Sequence, residues 1–242
     1  MLEMVEPKVT LLNGTEVTEA LDEIGRFAGI CYDARDGSDW EAVAMHVLYH
    51  EHATAYRHVK LKFRIEGVSR AFSHQHVRHN VGIEHNQRSQ RYVDEEGFDF
   101  VVPPSLLDVN DGRPELREKF ELFMLAADEL YRELREAGIP AGDARYVLPN
   151  ACETKLHTSF SLQALHHYCA ERLCSAAQSE IREVARQMVK CVRDVNPVLA
   201  KFLVVKCAPN ALGYCPEDRK RWSGCKMRPH KSQMRFRDDW MS

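Results

Sequence analysis

The chain has 242 residues, 44% hydrophobic and 29% charged, with a formal net charge of −3 and a pI near 6.5. This is the composition of an ordinary water-soluble globular protein, long enough to bury a real core in one large domain or two small ones. No apolar run approaches the roughly 18 residues of a membrane helix, and MLEMVEPKVTLL lacks the basic and apolar regions of a signal peptide, so a cytoplasmic protein with eight reduced cysteines is expected. Residues 8–12 (KVTLL) predict a short strand closed by the turn Asn13-Gly14, and a helix follows from about Glu16 to Ala28. Residues 40–50 (WEAVAMHVLYH) predict a second helix. Val59, Leu61, Phe63 and Ile65 then alternate with Lys60, Lys62, Arg64 and Glu66, the period of a strand with one buried face. Gly67 is expected to end that strand, and Val68 to His79 to be helical before a loop.

Residues 101–114, with Pro103, Pro104, Asn110, Gly112 and Pro114, read as a surface loop. A helix is expected from Pro114 to about Ala137, with proline in its first turn and Gly138 as its stop. A short helix over 140–147 and a second strand over 153–160 follow. The strongest helical signal covers 161–193, where Ile181, Val184, Ala185, Met188, Val189 and Val192 trace one apolar stripe. Asn196-Pro197 breaks it, and a last short helix precedes a tail rich in Pro, Gly, Cys and basic residues. Without repeats, low-complexity tracts or a linker, the chain reads as one α+β domain over 1–206 with a Cys/basic tail over 207–242.

The densest chemistry lies in QHVRHNVGIEHNQRSQRY, residues 75–92. It holds Arg78, Arg88, Arg91, His76, His79 and His85 against one acid, Glu84. Surface loops ordinarily mix signs, so this bias points to anionic ligands such as phosphates, which the planar guanidinium fork recognises. Arg145, and Arg172 with Arg182, stand in two further basic motifs, and the three together predict one composite polyanion site. A local basic site inside a slightly acidic chain argues against a general nucleic-acid surface.

These residues resemble the signature of the flavin-dependent thymidylate synthases: Arg-His-Arg, seven residues, then Ser, a small or polar residue, and Arg-Tyr. Here the corresponding residues are Arg78-His79-Asn80 and Ser89-Gln90-Arg91-Tyr92, with asparagine for the second arginine and one extra residue between the halves. His52, Thr54 and His58 resemble the family's segment before its strand. Gly138-Ile139-Pro140 with Ala144-Arg145 and Leu148-Pro149, and Arg172 with Ala177-Gln178, Glu180-Ile181-Arg182, match two more of its blocks. The resemblance runs over about residues 8–205.

The resemblance implies a small antiparallel sheet packed on long helices, assembled as a homotetramer with shared sites. It implies reductive methylation of dUMP to dTMP with FAD, NADPH and 5,10-methylenetetrahydrofolate. Thr54, Arg78, His79, Asn80, Asn86, Gln163 and His167 match positions around FAD, although Asn80, Gln163, His167 and the neighbouring Ser161 depart from the usual residues. Gln75, Gln87, Ser89, Gln90, Arg91, Arg145 and Arg172 match positions around dUMP. Arg172 and Ser89 lie closest to the chemistry: Arg172 would polarise the uracil, and Ser89, a poor nucleophile without a base, would hold the phosphate. An ion pair with Glu171 or Glu180 is the plain structural alternative for Arg172.

Two other functions are compatible with these residues. One is a related flavin enzyme that modifies a pyrimidine nucleotide differently, for example by hydroxymethylation. The other is a non-catalytic nucleotide- or RNA-binding tetramer. Metal readings are weaker: His50 and His52 are two apart and point to different sides of a helix. Cys207, Cys215 and Cys225 with His230 lack any Cys-x-x-Cys pair, so free thiols are expected and no metal is assigned.

Overall fold

The computed structural model describes residues 2–35, 37–107, 114–222 and 225–233. The strands are β1 (Lys8–Leu11), β2 (Lys60–Ser69), β3 (Ile83–Gln87) and β4 (Glu153–Ser161). The helices before β2 are α1 (Gly14–Thr18), α2 (Ala20–Gly29), α3 (Trp40–Tyr49) and α4 (Ala53–Tyr56). Then come α5 (Arg70–His76), α6 (Pro104–Leu107), α7 (Pro114–Glu136) and α8 (Ala141–Ala144). The last are α9 (Leu162–Arg172), α10 (Ser179–Val195), α11 (Pro197–Ala200) and α12 (Arg219–Trp222).

The strands form one antiparallel sheet in the order β1-β2-β4-β3. The alternation read in β2 holds: Leu61, Phe63 and Ile65 are fully buried while Lys62 and Arg64 face out. The predicted stripe of α10 is also buried in full, against the sheet, together with Leu162, Leu165, Tyr168 and Cys169 of α9. The sheet and these two helices therefore share one core, made from the residues with the clearest period. A smaller cluster joins Phe98, Phe100, Val102 and Cys152 to Met124 and Ala127 of α7.

Five expectations need correction. Gly67 does not end β2. It sits in a bulge between the pairs Ile65↔Leu156 and Val68↔Thr154 with φ of +65°, and a Cβ there would lie 2.1 Å from the Glu6 carbonyl oxygen. The segment after His79 is not wholly loop, because Ile83–Gln87 pairs with β4 as an edge strand. Its residues IEHNQ bury only Ile83, so no apolar alternation announced it. The 161–193 helix is two helices, parted at 173–178, and the 16–28 helix is parted at Glu19. Finally, residues 104–107 of the expected 101–114 loop are helical, while 108–113 lie outside the described residues.

Candidate active site

The site is built around the short helix α5 and the turn that follows it. Ser69 caps α5, its hydroxyl accepting from the Phe72 N–H at 3.0 Å. Buried Glu180 of α10 fixes this cap, accepting from the Ser69 N–H at 2.6 Å and its hydroxyl at 2.7 Å. At the other end, fully buried His76 bonds the Tyr168 hydroxyl at 3.0 Å and the Thr158 hydroxyl at 3.2 Å. Thr158 also meets His85 Nδ1 at 2.5 Å, and His85 Nε2 donates to the His79 carbonyl at 2.9 Å. A carbonyl only accepts, so with both rings neutral it orders every proton in the chain. His85 donates to His79, Thr158 to His85, His76 to Thr158 and Tyr168 to His76. Burial, then the neighbouring His85, His79 and Arg172, drives the His76 pKa well below its ordinary value, consistent with that order.

Past this anchor, a cavity of about 720 Å³ is lined by Arg78, His79 and Asn80 of the signature and by Ser161, Gln163 and His167. Arg57 and Lys60 also line it, and among the described residues no carboxylate does. Five residues read from the sequence as one set are thus brought together: Arg78, His79, Asn80, Gln163 and His167. Ser161 has a structural task here, since its hydroxyl accepts from the Ala164 N–H at 3.2 Å and starts α9.

Arg172, at the end of α9, donates from Nε to His79 Nε2 at 2.8 Å. Burial, reinforced by the neighbouring Arg172 and His167, pulls the His79 pKa down to about 4. His79 is therefore a neutral acceptor that orients a charged arginine. The alternative partners of Arg172 are engaged elsewhere: Glu171 with Lys206 at 2.9 Å, and Glu180 with Ser69.

A second cavity of about 420 Å³ gathers Gln87, Gln90 and Arg145 with Arg70, Ser73, His74, Tyr146 and Asn150. Arg70 was not singled out in the sequence, because it precedes the basic stretch and stands alone. It is half-buried beside Thr154 and the Arg88 carbonyl, and burial lowers its pKa. The turn leading from this cavity is clamped from beneath. Arg88 reaches Glu153 at 3.2 Å and buried Glu95 at 2.5 Å. Above the clamp, the Ser89 hydroxyl accepts from the Arg91 N–H at 3.3 Å, and its carbonyl accepts from the Val93 N–H at 3.0 Å.

Other predicted residues lie apart from these cavities within the chain. Thr54 is exposed on α4, and Asn86 faces a different groove with Arg64, Lys155 and His157. Arg91 is exposed, and Gln75 bonds Gln178 at 3.4 Å. Arg182 does not join the predicted composite site: it donates to the Ser175 carbonyl at 3.1 Å and ties the α9–α10 break. In the tail, the His230 ring bonds the Ser232 hydroxyl and the Glu217 carbonyl, each at 2.8 Å. Among the described residues, no group of three His, Cys, Asp or Glu side chains is placed to hold a metal ion.

Comparison with known proteins matches this arrangement to one family. Residues 11–198 match the family model described as Thymidylate synthase complementing protein. The flavin-dependent thymidylate synthase of Geobacter sulfurreducens is 36% identical over 221 residues, covering 87% of this chain and 91% of the relative. That of Pyrococcus furiosus is 34% identical over 240 residues, covering 93% and 95%. The fold resembles the crystal structure of a UMP/dUMP methylase PolB from Streptomyces cacaoi bound with 5-Br dUMP, at a TM-score of 0.67 and 22% identity over 84% of this chain and 96% of that one. With a family model across most of its length and relatives of this similarity at nearly full coverage, the chain belongs to the flavin-dependent thymidylate synthase family.

Proposed function

We propose that this protein methylates dUMP reductively to dTMP, with 5,10-methylenetetrahydrofolate as carbon donor and FAD reduced by NADPH. The observation that carries the reading is the Arg172–His79 bond, which couples a residue assigned to the pyrimidine with one assigned to the flavin. The first cavity fits a dinucleotide cofactor, since Arg57, Lys60 and Arg78 line it without a carboxylate. Bound there, reduced flavin would supply the hydride that completes the methyl group.

The chain's own part is binding, orientation and electrostatics. Arg78, His79, Asn80, Gln163 and His167 face the flavin. Gln87, Gln90, Arg145 and Arg70 receive the nucleotide, with Ser89 and Arg91 presented by the Arg88 clamp, and Gln75 is assigned to the nucleotide by the family resemblance alone. Arg172 places its remaining N–H donors where negative charge grows on the uracil, an effect worth a few kcal/mol in a dry site. Ser89 binds rather than attacks, because its described partner is a backbone N–H and not a base.

Thr54 and Asn86 lie outside the first cavity, which agrees with sites completed between subunits of a homotetramer. The outer side of α7 supports such an assembly, with Leu122, Phe123 and Leu125 each more than half exposed. Residues 1–206 are the catalytic domain in this reading and 207–242 its tail. Cytoplasmic location is part of the proposal; no helix among the described residues is long and apolar enough to cross a membrane.

The test is a visible spectrum of the purified protein followed by dUMP addition, then turnover with isotopically labelled methylenetetrahydrofolate. A flavin spectrum perturbed by dUMP, with label recovered in dTMP, is the expected result. A colourless protein that takes up no added FAD overturns the flavin reading. Label recovered in another pyrimidine product overturns the product assignment.

A further inference from the structure

The first cavity contains a cation, Arg57, to which the roles above assign no atom of the ligand. Arg57, just after α4, lines the cavity with Arg78 and Asn80. Its Nε donates to the side-chain oxygen of Gln163, which stands 106 residues later on α9. A neutral amide holds the guanidinium in place without cancelling its charge. It also occupies one of five N–H donors, leaving the terminal fork free for two oxygens of one anion.

The neighbouring cations differ in how far they are neutralised. Lys60 pairs with Glu84 at 3.5 Å. The side chains of Arg57 and Arg78 form no ion pair among the described residues. Asn80, on the same cavity wall, carries no charge. Two unneutralised guanidiniums in a cavity without carboxylates make a site for a doubly charged anion.

We propose that Arg57, held by Gln163, binds the pyrophosphate of the flavin dinucleotide and supplies the positive charge absent at Asn80. This rests on the flavin reading above. Gln163 is the positioning residue of the pair. The pairing also links two substitutions otherwise unconnected in sequence: an uncharged Asn80 goes with an arginine fixed from another segment.

Equilibrium binding separates the possibilities, using flavin fluorescence with FAD and with riboflavin, which has no phosphate. Arg57→Ala should weaken FAD binding about 10- to 100-fold, the scale of a charge-assisted hydrogen bond, and leave riboflavin binding unchanged. Gln163→Ala should weaken FAD less. Adding Asn80→Arg to Arg57→Ala should restore FAD affinity. Arg57→Lys, which keeps the charge but loses the fork, should fall between wild type and alanine and guards against a folding defect. Equal loss for FAD and riboflavin, or no loss, overturns the proposal. If the wild type binds neither flavin, the flavin reading fails, and inorganic pyrophosphate decides the anion site. Weaker pyrophosphate binding in Arg57→Ala then supports that site, and equal binding removes it.

Discussion

The Arg172–His79 bond makes a quantitative prediction about coupling. Arg172→Ala removes the guanidinium proposed to bind uracil, and His79→Ala removes the neutral acceptor that orients it. The bond is 2.8 Å long, charge-assisted and partly buried. Such bonds contribute about 1.5–3 kcal/mol, and partial solvent access lowers the figure here to about 1–2 kcal/mol. In a double-mutant cycle on dUMP affinity, measured by calorimetry with FAD saturating, the two losses should therefore fall short of additivity by about 1–2 kcal/mol, or 5- to 30-fold. Arg172→Ala alone should weaken dUMP while FAD binding is retained, whereas His79→Ala should weaken both. The coupling should persist from pH 8 down to pH 5, because His79 holds its proton only near pH 4. Losses that add within about 0.3 kcal/mol would show that the contact does not orient Arg172 for the nucleotide.

Stability should fall with acidification in a defined window. His76, His79 and His166 all have pKa values lowered from 6.5, chiefly by burial. Below pH 6.5 the unfolded chain takes up protons that the folded chain refuses, so Tm should drop as pH falls from 7 towards 4. His76→Gln should make that slope shallower, and an unchanged slope would show that His76 does not carry it. Thr158→Val preserves shape but orphans His76 and His85 at the middle of their chain. Two unsatisfied polar groups should cost about 2–4 kcal/mol, read as a lowered urea midpoint, and a loss below about 0.5 kcal/mol would refute the chain. Gly67→Ala should cost at least about 1–3 kcal/mol, since both the left-handed φ and the Glu6 carbonyl oppose a Cβ. Unchanged Tm in that variant would contradict the bulge.

What was legible in the sequence was what repeats. The two-residue alternation of Leu61, Phe63 and Ile65 and the stripe from Ile181 to Val192 place the core, because burial imposes a period. The signature was legible by composition, and Arg78, His79 and Asn80 share one cavity as their spacing implies. The edge strand β3 escaped notice because strand pairing, not burial, makes it a strand. The α9–α10 break carries no glycine or proline. It depends on Arg182 reaching back to Ser175, a tertiary contact without a local mark. Arg57 and Arg70 escaped for the same reason, since each is a lone arginine until the fold supplies Gln163 or Thr154 beside it.

The Glu180 anchor bears on how this family can change. It grips α5 at Ser69, whereas Asn80 and its neighbours lie beyond the opposite end of that helix. The seven residues of α5 span about 10 Å, at roughly 1.5 Å each. Substitutions at the far end alter what the first cavity meets without loosening the joint that sets the helix in the molecule. Ligand preference and folding are thereby carried by separate residues of one short segment, and a lineage can explore the first while selection guards the second.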